Sequence, residues 1–434
     1  MCVYRCTHTR FARVWVCVVC NMSKFGDQVT YGDPNWYQYW PSPYYNASHK
    51  IWREKCRTFV DERILPYVSE WEKNKCIPRQ VSIDCASAGL LPCVAGPTAY
   101  SYVSNPPTQC DYFHELIFID EIARSASGGV LWGLIEGLQI GLPPILNYCT
   151  NVELKNRIAQ ECLSGQSAIC LCITEPTAGS DVANIQTSAV QQGNVFIVNG
   201  EKKWITNGIF ADWFTVAVRV DDKSLALLVL HKSMPGIKTR RMDCQGVHSS
   251  GTTFIEFNNV HVPCDHLIGN IGEGFKLIMN NFNHERWGFV VQANRFARVC
   301  LEESFKYASK RKTFGKFLIE HEVIRWKLAE MARQIEATHA WLEQVTHALN
   351  SGATTQLAGP IALLKAHSTK VFEYCAREAS QIFGGNSYTQ NGLGEKIERL
   401  YRDVRAYAIP GGSEEILLDL AVKQALKVSK SARM

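Results

Sequence analysis

Asn194-Val-Phe-Ile-Val198 runs into Asn199-Gly200 and then into Lys203-Trp-Ile-Thr206. An apolar run, a turn dipeptide and a second run predict a β-hairpin. Trp213-Phe-Thr-Val-Ala-Val-Arg-Val220 and Leu225-Ala-Leu-Leu-Val-Leu230 follow across a turn at Asp221-Asp222, and Thr253-Phe-Ile-Glu-Phe257 alternates cleanly. Short strands separated by turns predict a β-barrel or sandwich over 171–272. Both flanks have another period. Ile51, Trp52, Phe59, Val60 and Ile64 recur at near-helical spacing, and Phe118, Ile119 and Ile122 continue the pattern. The Pro/Ser/Tyr-rich stretch 91–111 reads as a loop between helices. Past 273 the helical pattern returns over 274–309, 322–349, 361–383 and 413–429. The expected fold is α+β: an N-terminal α-helical domain (45–170), a middle β-barrel or sandwich domain (171–272) and a C-terminal four-helix bundle (273–434), with 1–44 as an extension.

The composition agrees. With 434 residues, 46% hydrophobic and 20% charged, the chain can bury a large core, which excludes a disordered acidic chain, a collagen-like repeat and a disulfide mini-protein. The net charge of +5 is spread along the sequence without a basic tract, so no nucleic-acid partner is expected. No stretch approaches the roughly 20 uninterrupted apolar residues of a membrane span. The 17 cysteines are odd in number and irregularly spaced, and Cys170, Cys172 and Cys300 lie in apolar runs. Buried thiols in a reducing compartment are expected. Cys17 and Cys20 form the one CxxC and lack a second pair, so no metal site is expected. Residues 1–26 hold Arg5, Arg10, Arg13 and Lys24 but no acid, resembling a mitochondrial presequence, with Met22 as a second possible start. Ala432-Arg433-Met434 loosely fits a peroxisomal tail signal. The two addresses conflict, and the sequence does not choose.

The densest chemistry is Leu171-Cys-Ile-Thr-Glu-Pro-Thr-Ala-Gly-Ser-Asp181, whose small residues let backbone N–H groups approach an anion. It lacks the Gly-Lys-Ser/Thr ending of a P-loop. Together with Asn199-Gly-Glu-Lys-Lys-Trp-Ile-Thr-Asn-Gly208, it resembles the two strand-domain motifs of the flavin-dependent acyl-CoA dehydrogenase family. Lys310-Arg-Lys-Thr-Phe-Gly-Lys316, Gln381-Ile-Phe-Gly-Gly-Asn386, and Arg402-Asp403 followed by Ile409-Pro-Gly-Gly-Ser-Glu-Glu-Ile416 resemble its later motifs in the same order. The resemblance implies FAD between the strand domain and the bundle. Leu171, Thr174, Trp204, Ile205 and Thr206 match the flavin side, and Gly179 and Ser180 match the turn near the pyrophosphate and the CoA arm. Arg311, Thr313, Phe314 and His321 match residues that reach the FAD of a neighbouring subunit, and Gln381, Gly384 and Gly385 match a cross-subunit cradle for the adenine half. A homo-oligomer, a dimer of dimers, is therefore implied. So are an acyl-CoA substrate, an electron-transfer flavoprotein as acceptor and a place in fatty-acid β-oxidation.

The reaction needs a carboxylate to remove a weakly acidic α-proton. Many family members carry this Glu directly before a Gly in the last motif, where this chain has Gly411. A minority, the long-chain and isovaleryl types among them, place it on the long helix, just before an Arg that precedes the loop-motif Arg by 25 residues. Glu285-Arg286 stands 25 residues ahead of Arg311 in this way. Glu285 has Asn281 and Phe289 at its i±4 positions, so it lacks an intrahelical cation, and Phe282, Trp287 and Phe289 supply aromatic bulk that would raise its pKa. Glu285 is the expected base, with Glu414 and Glu415 as competing acids better explained by the dipole of the last helix. Asn283, Arg286, Ser180 and the Gly411 N–H are expected at the substrate. Leu171 and Ser387 depart from the family's usual aromatic and glycine, and 387–401 looks longer than common. Two alternatives stay open: an oxidase that uses O2, for which Ala432-Arg433-Met434 would suit, and a non-catalytic flavin-binding scaffold or assembly protein, which Gly411 would suit.

Overall fold

The computed structural model describes residues 25–38, 40–103, 110–352 and 356–431. The presequence-like arginines, Cys17, Cys20, Met22 and the tail Ala432-Arg433-Met434 lie outside the described residues.

The N-terminal region is helical: α1 (Ala47–Arg63), α2 (Val68–Asn74), α3 (Arg79–Ser87), α4 (Tyr112–Ala123), α5 (Gly128–Leu131), a π-helical turn over Trp132–Glu136, α6 (Gly137–Ile140), α7 (Pro143–Tyr148) and α8 (Val152–Leu163). α1 and α4 start alike. Asn46 and Asp111 accept the N3 backbone N–H, His49 Nδ1 accepts the Asn46 N–H, and His114 Nδ1 lies 2.8 Å from Asp111 Oδ1. His49 Nδ1 is thus an acceptor, which puts the proton on Nε2, 3.1 Å from Asp111 Oδ1. The stretch Gly128–Tyr148 is long and apolar enough to span a membrane, contrary to the sequence reading, but 89% of its apolar window is buried inside the protein. It is a core segment, bent by the π-turn and by Pro143.

The middle strands are β1 (Ile169–Cys172), β2 (Ser188–Gln192), β3 (Val195–Ile205), β4 (Trp213–Arg219), β5 (Leu225–His231), β6 (Ile237–Arg241), β7 (Thr253–Pro263) and β8 (Leu267–Ile268). They order as β6-β7-β3-β2-β4-β5-β8, with β1 on β4. The two halves meet only at Ser188↔Arg219 and share one core, which includes Phe196, Val198, Phe214, Val216, Leu228 and Ile255. β4 and β5 are buried on both faces: Phe214 and Leu228 face that core, while Trp213 and Leu227 face the helices. Hence they read as unbroken apolar runs, whereas β7, with one face on water, alternates.

Asn199-Gly200 is not the predicted hairpin. It lies inside the single strand β3, at a register shift against β7, with Gly200 at φ +144° and Asn199 Oδ1 accepting the Asn259 N–H. A dipeptide that favours a turn serves equally at a bulge. The hairpin is the preceding one, between Gln192 and Val195.

The C-terminal region contains α9 (Gly274–Ala308), a two-stranded ribbon β9 (Lys312–Thr313) and β10 (Lys316–Phe317), α10 (Glu322–Asn350), α11 (Ala358–Phe383), α12 (Glu395–Ala408) and α13 (Glu414–Ser431). The four expected helices are present. α12 is a fifth that the pattern reading missed, because its charged Glu395-Lys-Ile-Glu-Arg hid one buried face: Ile397, Leu400, Val404 and Tyr407. α9 is buried without a break from Glu285 to Glu302 and packs against α4, α10 and α11. All 13 described cysteines are free thiols, and Cys170, Cys172 and Cys300 are buried as expected.

Candidate active site

Glu285 sits at the start of the buried part of α9, 7% exposed, and its Oε2 has no hydrogen-bond partner among the described residues. Burial pushes its carboxyl up to about 7, against the opposing pull of Arg286, Lys365 and His284. Of the three aromatics expected around it, Phe289 lies one turn on, on the same face. Trp287 does not line the site: it donates to Thr346 on α10 and stacks on His284. Two residues along a helix amount to roughly 200° of rotation, which turns it away.

Arg286 carries the long helix to the last motif. Its Nε donates to the Gly411 carbonyl at 2.7 Å, and its guanidinium is 3.4 Å from Asn283 Oδ1. The two alternative positions for the base are therefore neighbours in space. Gly411 has φ +68°, and a Cβ there would stand 3.1 Å from the Phe289 ring. No acceptor binds the Gly411 N–H among the described residues. The competing acids are occupied at the start of α13. Glu414 accepts from Thr369 at 3.1 Å, and its own backbone N–H and Ser413 hold Glu415 below the usual carboxylate range.

Lys365, on α11, was not singled out from the sequence. Its Nζ donates to the carbonyls of Gly412 at 3.0 Å and Ala408 at 3.3 Å, fixing the loop that holds Gly411. Burial pulls its ammonium down to about 7, and its charge favours ionised Glu285. Lys365→Met is therefore expected to raise the Glu285 carboxyl further and to move the acidic limb of the pH–kcat/KM profile to higher pH. A limb that stays in place would contradict the coupling. Glu115, Glu136 and His284 also escaped the sequence reading. His284 Nε2 pairs with Glu115 at 2.7 Å; burial raises the Glu115 carboxyl, while for His284 burial is opposed by Glu115, Glu285 and a backbone hydrogen bond, which together leave it raised. Only Glu136 carried a signal, as a lone acid in an apolar run.

The strand domain is joined to this region through Asn207 and Trp132. Trp204 adopts φ +60°, in the left-handed region uncommon for an aromatic, and remains 49% exposed with Lys203 Nζ 4.5 Å from its ring centre. It lies where β3 shifts register against β7 between Lys202 and Ile205. Thr174 and Thr206 are half-buried, and the Thr174 carbonyl accepts the Lys203 N–H at 2.9 Å. Asn207, next to Thr206, donates to the Trp132 carbonyl at 3.1 Å, and the Trp132 ring meets Phe289 at 5.6 Å. Leu171 is half-buried on β1. The Ile205 side chain is committed to the strand-domain core, leaving only its backbone for the flavin side. Gly179 and Ser180 are exposed, and a Cβ on Gly179 would meet nothing.

A second group lies at the other end of α9. Arg311 and Phe314 are exposed, the latter by 96%, and Thr313 is 3.0 Å from His321 Nε2. Gln381, Gly384 and Gly385 are exposed where α11 ends. Phe383 stacks on Tyr307 at 4.3 Å, and Asn386 bonds the Tyr307 hydroxyl, so both parts of this group flank Tyr307. Ser387, in place of the usual glycine, ties the turn by bonding the carbonyls of Ser380 and Gly384. No hydrogen bond or ring contact joins this group to Glu285 or Trp204 among the described residues.

The N-terminal, middle and C-terminal domains of acyl-CoA dehydrogenase match residues 46–166, 170–260 and 272–426. The chain belongs to the acyl-CoA dehydrogenase family. It is 40% identical over 423 residues to acyl-CoA dehydrogenase apdG of Emericella nidulans, covering 93% of this chain and 96% of that one. It is 39% identical to acyl-CoA dehydrogenase AFT10-1 of Alternaria alternata, over 93% and 97% of the two chains. The crystal structure of acyl-CoA dehydrogenase from Geobacillus kaustophilus superposes with a TM-score of 0.82 at 29% identity, covering 89% of this chain and 100% of that one. The protein is accordingly an FAD-dependent oxidoreductase. Its residues fit that cofactor: the strand domain offers an exposed aromatic face at Trp204, two half-buried threonines and an open turn at Gly179-Ser180, and Asn207 ties it through Trp132 to Phe289, one turn from Glu285.

Proposed function

We propose that this acyl-CoA dehydrogenase converts an acyl-CoA thioester to the trans-2-enoyl-CoA, with Glu285 as the base that removes the α-proton. The observation that carries the reading is a buried carboxyl with a free oxygen, raised to about 7, beside the Gly411 loop that replaces the usual acid. Bound FAD supplies the acceptor for the β-hydride. Glu285 must be ionised to act, and an acid poised near the working pH does so with a strong driving force. Arg286 orients the Gly411 segment through its carbonyl, leaving the Gly411 N–H to the thioester oxygen, where one such donor is worth about 3–4 kcal/mol as enolate charge develops. Ser180 and Asn283 are assigned to the CoA arm and the thioester end.

The exposed group at Arg311, Phe314, Gln381 and Gly385 supports a homo-oligomer, a dimer of dimers in which one chain completes its neighbour's FAD site. Electrons are assigned to an electron-transfer flavoprotein rather than to O2. Anaerobic addition of acyl-CoAs of rising chain length should bleach the flavin, and aerobic turnover should release little peroxide. Stoichiometric peroxide would instead mean an oxidase. kcat/KM should rise with pH through about 7 as Glu285 loses its proton. A profile flat from pH 6 to 8 would exclude a base of this kind.

A further inference from the structure

We propose that Lys203 is a positioning residue for the flavin: its ammonium backs the Trp204 ring and raises the reduction potential of the bound FAD. The inference rests on the assignment of Trp204 to the flavin side and not on Glu285. In an extended strand neighbouring side chains point to opposite faces, so residues 203 and 204 would not meet. Here they do. Lys202 pairs with Ile255 and Ile205 with Thr253, so β3 takes three steps where β7 takes two. The extra residue makes a bulge. Lys202 and Ile205 are both buried, while Lys203 is half-buried and Trp204 is left outside. Trp204 absorbs the irregularity at φ +60°, and Lys203 Nζ comes to 4.5 Å from the centre of its ring.

The two neighbouring lysines have different surroundings. Lys202 is neutralised by Glu175 at 2.8 Å. The Lys203 ammonium has no carboxylate and no hydrogen-bond acceptor among the described residues, and the Trp204 ring is its one partner there. The Lys203 backbone N–H donates to the Thr174 carbonyl at 2.9 Å, so this cation is anchored to the loop that carries a flavin-side threonine. The ammonium takes one face of the indole, and about half of the Trp204 surface stays open. A cation held on one face of an aromatic ring by its quadrupole leaves an uncompensated positive charge beside whatever lies against the rest of the ring. Reduction adds electrons to the flavin, and a nearby positive charge favours the electron-richer form. The bulge thus serves to bring a charge and a ring together that a regular strand would hold apart.

The test is a reductive titration of the FAD-loaded protein against a dye of known potential, with no acyl-CoA present. Lys203→Met should lower the flavin potential by the equivalent of about tenfold in the two-electron equilibrium, or ~30 mV. Lys203→Gln should do the same and serves where the methionine variant loses FAD. Lys203→Arg keeps a cation on the ring and should stay near the wild type. On a Trp204→Leu background Lys203→Met should shift the potential much less, because the ammonium then has no ring to rest on and returns to water. An unchanged potential in both uncharged variants overturns the proposal. So does a Lys203→Arg potential that falls as far as the methionine one, or an equal Lys203→Met shift on both backgrounds. Trp204→Leu alone checks the assignment of the ring: it should alter the flavin absorption band, and an unaltered band removes Trp204 from the flavin side and this inference with it. Failure of Glu285 as the base would leave these potentials as expected, so the two readings fail separately.

Discussion

Glu285→Gln is expected to keep the fold and the flavin but to lose about 100- to 10,000-fold in the rate of flavin bleaching by an acyl-CoA. The amide has the same shape and no basic lone pair. The buried carboxyl it replaces is held at a cost in desolvation, which is why it sits near 7, so thermal stability should stay level or rise. Loss of rate with retained Tm and retained FAD separates a chemical role from a structural one. Equal rates would mean that another acid removes the proton, and Glu136 would be the next to test, because it is buried within electrostatic reach of Glu285.

Lys202→Met is expected to destabilise the protein by about 3–5 kcal/mol and to weaken its hold on FAD. Lys202 is fully buried and donates to Glu175 Oε1 at 2.8 Å and to the Ile173 carbonyl at 2.9 Å. Glu175 in turn accepts the backbone N–H groups of Gln186 and Thr187. Burial opposes both charges, but Lys202 and these donors still hold Glu175 below the usual carboxylate range. One ion pair thus ties β3 to the loop that presents Thr174 and Gly179. Methionine leaves an uncompensated buried carboxylate. The double variant Lys202→Met/Glu175→Leu removes that charge and should recover much of the Tm, while FAD affinity stays low because the Ile173 and Gln186 anchors are gone. Full recovery of FAD affinity in the double variant would show the pair to be structural only.

The strand runs of the middle region were legible because β4 and β5 are buried on both faces and β7 on one, and those two burial patterns write different sequences. α12 was not legible, since its apolar stripe is narrow and its flanks are charged. Asn199-Gly200 misled because a bulge and a hairpin ask for the same dipeptide. At the site, Glu285 was singled out because the resemblance allows a base just before an Arg 25 residues ahead of Arg311, and because it lacks an intrahelical cation. Lys365, Glu115, His284 and the Glu175–Lys202 pair are defined by partners from 27 to 169 residues away. Such pairings are tertiary, so no local pattern announces them. Trp287 shows the converse error: proximity along a helix was read as proximity in space, and the helical rotation placed it on the opposite side.

The central claim is that Glu285 takes the α-proton, and proton removal can be observed apart from hydride transfer. An acyl-CoA whose β-carbon bears no hydrogen can lose its α-proton but has no hydride to give. Incubated with the FAD-loaded enzyme in D2O, it should exchange its α-hydrogens for deuterium, seen by NMR as loss of the α-signal. The exchange should slow as the pH falls below about 7 and should be absent with Glu285→Gln. Exchange at the same rate in both proteins would contradict the assignment of Glu285 as the base.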